Sequence, residues 1–179
     1  MPVQTDAHLK EIHYGIEQHY AGDKWFHSSA LFDEKTKQAT GFFVGSNLNR
    51  TRLRLSVIAH VAVEMLIDRQ IVLQHHALCE QFYEKVNEAD EKLISFYFDS
   101  IGQPLAKQQF FNTFNFFKQR RFLFLFTDLE NVLFGLGRVY GNVTGTQFSE
   151  EEKRQFLATL HNIDSEIRYS WQQILKRQT

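Results

Sequence analysis

The sequence predicts an all-α protein, an irregular bundle of about six or seven helices. Three observations carry this. Proline occurs only at Pro2 and Pro104, so almost the whole chain is free of interior helix breakers. Apolar residues recur at helical spacing, as in Leu9, Ile12, Ile16, Phe26 and Ala30, where a strand would alternate. Two helix-start signatures, Thr127-x-x-Glu130 and Ser149-x-x-Glu152, stand ahead of apolar runs.

The first helix is expected from about Asp6 to Asp33, bent near Gly15 or Gly22 because interior glycine weakens a helix. Gly41, Gly45, Ser46, Asn47 and Asn49 read as a turn-rich connection, and a second helix runs from about Arg50 to His76. A further helical segment reaches about Ile101, where Gly102-Gln103-Pro104 is a stop. From Phe110 to Phe126 there are eight phenylalanines in seventeen residues, at core spacing. The capping box at Thr127 starts a helix expected to end near Leu136, and Gly141-Asn142-Val143-Thr144-Gly145 reads as a loop. The last helix opens at Ser149 and runs to about Lys176. No repeat or low-complexity tract divides the chain, so residues 1–179 read as one helical domain.

Composition narrows the setting. The 179 residues carry 20 basic and 21 acidic side chains, a formal charge of −1, which gives no global field for nucleic acid or anionic membrane. The single cysteine, Cys79, has no internal disulfide partner and no zinc-finger spacing around it, which places the chain in a reducing cytoplasm. No apolar run approaches a transmembrane length, so no membrane role is expected, and the Asn142-x-Thr144 sequon reads as accidental.

Within this background two segments set ionisable residues at every fourth position along stripes that should be apolar: His19, Asp23, His27, and His60, Glu64, Asp68. Spacings of four and eight keep each set on nearly one helix face. The second lies in Leu55-Ser56-Val57-Ile58-Ala59-His60-Val61-Ala62-Val63-Glu64-Met65-Leu66-Ile67, apolar almost all round, so His60 and Glu64 are expected inside. Buried charge is costly unless paired or bound to an ion. Imidazoles mixed with carboxylates suit manganese, iron or zinc better than calcium. A metal-free polar network and two solvated helix faces are the alternatives. His8, His13, His75, His76 and His161 fall outside the register and read as surface residues.

At the same residues the chain resembles the acyl carrier protein phosphodiesterases, helical enzymes that look distantly like HD-domain phosphohydrolases. The family carries Gly-Ile-x-x-His-Arg-x-Ile-Asp-x-x-x-Asp, and Gly15-Ile16-Glu17-Gln18-His19-Tyr20-Ala21-Gly22-Asp23-Lys24-Trp25-Phe26-His27 follows that spacing. His19 and Asp23 match in identity, while His27 stands where the family has its second aspartate. The family's Asp-x-x-x-Asp-His corresponds to His60, Glu64 and Met65, and Phe117 to Gly137 resembles its aromatic segment.

The resemblance implies an HD-like fold and hydrolysis of the phosphodiester that joins 4′-phosphopantetheine to a serine of acyl carrier protein. It implies a divalent ion held by His27, His60 and Glu64 with Asp23, His19 orienting a ligand, and Asp68 taking a proton from the attacking water. Lys24 and Arg69, next to the ladders, are the implied phosphate contacts, and acyl carrier protein the implied partner. Imidazole in place of carboxylate at His27 and His60 shifts preference from magnesium toward manganese, iron or zinc. Met65 lacks the family's histidine. Nothing before Leu9 corresponds to the family's first segment, which contains Gly-Asn and an Asp, so the expectation is either that the chain starts late or that its site is incomplete.

Two other classes compete. One is a non-catalytic helical scaffold that keeps a vestigial metal or polar site. The other, less favoured given the balanced charge, is a nucleic-acid-binding surface made of Arg50, Arg52 and Arg54, or of Lys118, Arg120 and Arg121 among the phenylalanines.

Overall fold

The computed structural model describes residues 3–46, 48 and 54–175, with side chains described for 9–46, 48 and 54–173. Asn47, Asn49, the helix start at Arg50, the basic positions Arg50 and Arg52, the side chain of His8, and Lys176 lie outside the described residues. The protein is all-α, with no strand among the described residues. Its helices are α1 (Val3–His27), α2 (Ala30–Gly45), α3 (Leu55–Gln74), α4 (His76–Asn87), α5 (Glu91–Ser100), α6 (Pro104–Arg120), α7 (Phe122–Leu125), α8 (Leu129–Thr144), α9 (Glu150–Ile167) and α10 (Gln172–Leu175). Among the described residues, no helix is long and apolar enough to cross a membrane.

Several boundaries differ from the sequence expectation, each for a local reason. The expected helix over 6–33 is broken after His27, because the Ser29 hydroxyl accepts from the Phe32 amide and caps a new helix. Gly15 and Gly22, the expected bends, lie inside α1. The segment after Gln74 divides into α4 and α5, since Asp90 accepts from the amides of Lys92 and Leu93 and starts α5. At Thr127 the cap is one residue later: the Asp128 carboxylate accepts from Glu130, while the Thr127 hydroxyl donates back to the Phe124 carbonyl. The helix α8 then continues through the expected loop and stops at Gly145, whose φ of +70° is the left-handed cap that glycine adopts without strain. The capping box at Ser149 is present in both directions, with Ser149 Oγ accepting from the Glu152 amide and Glu152 Oε2 from that of Ser149.

The chain forms two compact units, residues 1–26 with 80–122, and residues 27–79 with 123–179. In the first unit α5 and α6 pack together, joined by a turn in which Gly102 has φ +67°. The phenylalanines there make a chain of ring contacts, Phe98 to Phe110 at 5.3 Å and Phe110 to Phe114 at 5.3 Å, yet no residue of α5 or α6 is fully buried. Lys118 pairs with Glu91, Lys107 with Asp99, and Arg121 with Glu80 while lying over the Tyr83 ring. Of the expected nucleic-acid surface, Lys118 and Arg121 are thus ion-paired within the unit, and Arg120 lies over the Phe116 ring.

The second unit holds the main core. Helix α3 packs against α2, α8 and α9, and buries Leu55, Ile58, Ala59, Ala62, Val63, Leu66, Ile67 and Val72. That is why its sequence is apolar nearly all round. Phe43 of α2 meets Phe156 of α9 at 5.2 Å, and Phe148 stacks between Phe156 and Tyr140. Gly135 is a place of close approach, where a Cβ would stand 3.4 Å from the Met65 methyl. One polar tie runs through this core. Asp164 accepts from Gln70 at 2.7 Å and from Arg69 Nε at 3.3 Å, and Arg69 Nη1 donates to the carbonyls of Phe126 and Thr127.

Candidate metal centre

Near one end of α2, three side chains of the second unit converge. His27 is the last residue of α1, and the Ser29 cap turns the chain immediately after it. His60 and Glu64 are one turn apart on α3, which places both on one face. His27 Nε2 lies 3.3 Å from Glu64 Oε1, and His60 Nε2 lies 3.2 Å from the same oxygen. The two imidazoles stack at 4.8 Å with 11° between their planes. All three side chains are partly exposed, at 28%, 43% and 35%, so the cluster is reachable from solvent.

Neutral imidazole presents one lone pair and one N–H, and a carboxylate only accepts. An imidazole with its proton on Nε2 donates to the Glu64 carboxylate, and one with its lone pair on Nε2 can share a cation with it, so the geometry suits either hydrogen bonds or an ion. Among the described residues, His27, His60 and Glu64 form the group of His, Cys, Asp or Glu side chains whose ligand atoms lie within 4.8 Å of one another. A tetrahedral ion bound at about 2.0–2.1 Å has ligand-to-ligand edges of about 3.3–3.4 Å. The two nitrogen-to-oxygen separations match that edge. A set of two histidines and one glutamate leaves a fourth position open, the arrangement of hydrolytic rather than structural zinc. The two ring planes are within 11° of parallel, so an ion drawing on both nitrogens requires a small turn of one ring about its Cβ–Cγ bond, a torsion that is broad for histidine.

Asp68, the next turn of α3, is partly buried and its carboxyl is pushed up from 3.8 to about 7, first by burial and then by the charge of Glu64. It exchanges a proton near neutrality and stands in electrostatic reach of the cluster.

His19, Asp23 and Lys24 lie on the part of α1 that belongs to the first unit, with exposed side chains, and His19 sits against Tyr20 at 5.8 Å. Arg69 follows Glu64 by five residues, about 140° around the helix. Its guanidinium is engaged by Asp164 and by the Phe126 and Thr127 carbonyls, on the α9 side of α3. Of the remaining histidines, exposed His13 pairs with Glu17, His75 meets Trp171, His76 meets Phe124, and His161 is exposed. Cys79 is buried.

Sequence reasoning missed Phe32. Its ring, 2% exposed, lies 4.9 Å from each imidazole and nearly perpendicular to both, at 82° to His27 and 87° to His60. The signal available was Ser29 followed by the acidic first-turn residue Asp33, a start for α2 that separates Phe32 from the α1 stripe.

No protein-family model, curated protein or solved structure matches the chain. The functional reading therefore rests on the cluster and on the spacing of the motif around it.

Proposed function

We propose that this protein is a metal-dependent phosphodiesterase of HD-like helical architecture, related in its motif to the acyl carrier protein phosphodiesterases and working in the cytoplasm. The observation that supports it is the convergence of His27 Nε2 and His60 Nε2 on one oxygen of Glu64. His27, His60 and Glu64 hold the ion, and the nitrogen-rich set favours zinc, iron or manganese over magnesium. When bound, such an ion lowers the pKa of a water toward neutrality and polarises a phosphoryl oxygen.

The chain's own groups do the rest. Glu64 supplies the negative charge that offsets the cation, and the two imidazoles orient it without adding charge. Asp68, exchanging its proton near pH 7, accepts a proton from the attacking water and returns it to the leaving alkoxide. The partly exposed face of the cluster admits a large substrate, and the motif's spacing directs the choice to holo acyl carrier protein. The test is release of 4′-phosphopantetheine from holo acyl carrier protein, together with hydrolysis of an aryl phosphodiester, each with added Zn²⁺ or Mn²⁺ and with chelator. Metal-dependent cleavage that is lost in Glu64→Gln supports the proposal, and absence of cleavage of either substrate at any metal concentration counts against it.

One observation favours a second reading, a scaffold with a polar relic. Neutral imidazoles that carry their protons on Nε2 can both donate to Glu64 Oε1, so the cluster can satisfy itself without an ion. In that case the parent protein binds no transition metal, and Glu64→Gln leaves it no less stable.

A further inference from the structure

We infer that Phe32 is a positioning residue for the metal centre, setting the orientation of both imidazoles from a third helix. The inference rests on the metal-binding reading of His27, His60 and Glu64. The two histidines come from different helices, one at the end of α1 and one in α3, so contacts between helices set one ring relative to the other. Phe32 contacts both. Its centroid is 4.9 Å from each imidazole centroid, and its plane stands at 82° and 87° to theirs. With the 4.8 Å between the imidazoles, the three rings form a nearly equilateral triangle. Phe32 is almost fully buried while both histidines reach solvent, so it forms the inner wall of the cluster.

Perpendicular aromatic contacts are directional, because the positive edge of one ring meets the negative face of another. Two such contacts on one phenylalanine confine the range over which either imidazole turns, so the small rotation that an ion requires starts from rings already held beside Glu64. Phe32 is itself held, since the Ser29 hydroxyl accepts from its amide at 3.2 Å in the cap of α2. The turn between α1 and α2 thus does two jobs. It ends the helix at His27 and aims the ring that orients His27 and His60.

Groups that orient metal ligands without touching the ion contribute about 10–100-fold to metal affinity. Phe32 has no polar atom, so its contribution comes through ring orientation alone. Co²⁺ titrated into the purified full chain reads both affinity and geometry, since four-coordinate cobalt absorbs visible light far more strongly than six-coordinate cobalt. The parent is expected to bind one equivalent with an intense band. Phe32→Leu keeps an apolar side chain but removes the flat ring, and is expected to weaken binding by about 10–100-fold and to lower the band intensity at saturation. Phe43→Leu is the control: Phe43 is buried in the same helix against Phe156, so its loss costs stability without touching the cluster. It is expected to keep the parent's affinity and spectrum.

Unchanged affinity and spectrum in Phe32→Leu overturns the inference and leaves the metal site standing, as does equal loss in Phe43→Leu. A parent that binds no Co²⁺ takes down the metal reading and this inference together. If Phe32→Leu does not fold, Ser29→Ala, which loosens only the cap beneath Phe32, takes its place. A several-fold affinity loss there supports the inference and an unchanged affinity overturns it.

Discussion

Replacing Asp68 by asparagine should make the protein more stable, and by an amount that grows with pH. The Asp68 carboxyl is raised from 3.8 to about 7 by burial and by Glu64. Between those values the folded state keeps a proton that the unfolded state has released. Stability from this group is therefore fully present below about pH 4 and is lost as pH rises toward 7. Each pH unit in that window is worth about 1.4 kcal/mol, so the two units from pH 5 to pH 7 carry about 2.7 kcal/mol at most. Partial exposure of the side chain lowers this to roughly 1.5–2.5 kcal/mol. Asparagine keeps the size and polarity but does not titrate. Urea unfolding of chelator-treated parent and Asp68→Asn at pH 5 and pH 8, analysed as a difference between the two proteins, cancels the other titrating groups. The gap in favour of Asp68→Asn should widen by about that amount at the higher pH. A gap that stays the same at both pH values refutes the argument that Asp68 is held protonated by its surroundings.

Three further outcomes follow from the same geometry. His60→Ala should lower bound transition metal at least tenfold in equilibrium dialysis, because it removes one of three ligands while the apolar residues of α3 keep the helix packed; undiminished metal content excludes His60 as a ligand. Glu64→Gln should reduce metal-dependent phosphodiester hydrolysis by at least a hundredfold with an unchanged circular dichroism spectrum, whereas retained turnover places the chemistry elsewhere. Asp164→Ala should destabilise the protein by about 3–5 kcal/mol, since it removes the charge partner of Arg69 and strands the buried amide of Gln70. That is a fall of roughly 6–20 °C in thermal midpoint, and a loss below about 1 kcal/mol shows that the tie is not stabilising.

What could be read from the sequence was what one segment determines by itself. The helical class follows from spacing and the near absence of proline, and the pair His60 and Glu64 follows from four-residue periodicity inside an apolar run. The capping box at Ser149 is equally local, since both partners lie within four residues. The boundaries that differed depended on competition between neighbours. At Thr127 and Asp128 two good capping residues stand side by side, and the aspartate takes the amide while the threonine turns back to a carbonyl. At Ser29 the cap interrupts an apolar stripe that reads as continuous, because Leu31 and Phe32 extend the pattern on the far side of the break. That break decides the site. Were α1 to continue through Phe32, that ring would not stand where it meets both His27 and His60. Arg69 shows the converse limit: adjacency to Asp68 in sequence suggested a phosphate contact, but the helix turns it toward Asp164, a residue ninety-five positions away. Gln70, the other long-range partner of Asp164, gave no signal beyond being a polar residue in an apolar run.

Whether His27, His60 and Glu64 together hold one divalent ion is read by elemental analysis of the protein purified without a histidine tag, set beside His27→Ala and Glu64→Gln after equilibration with Zn²⁺ and removal of free ion. Close to one ion per chain is expected in the parent and a small fraction of that in each variant, with all three proteins folded. No ion in the parent, or the same content in all three, contradicts the shared site.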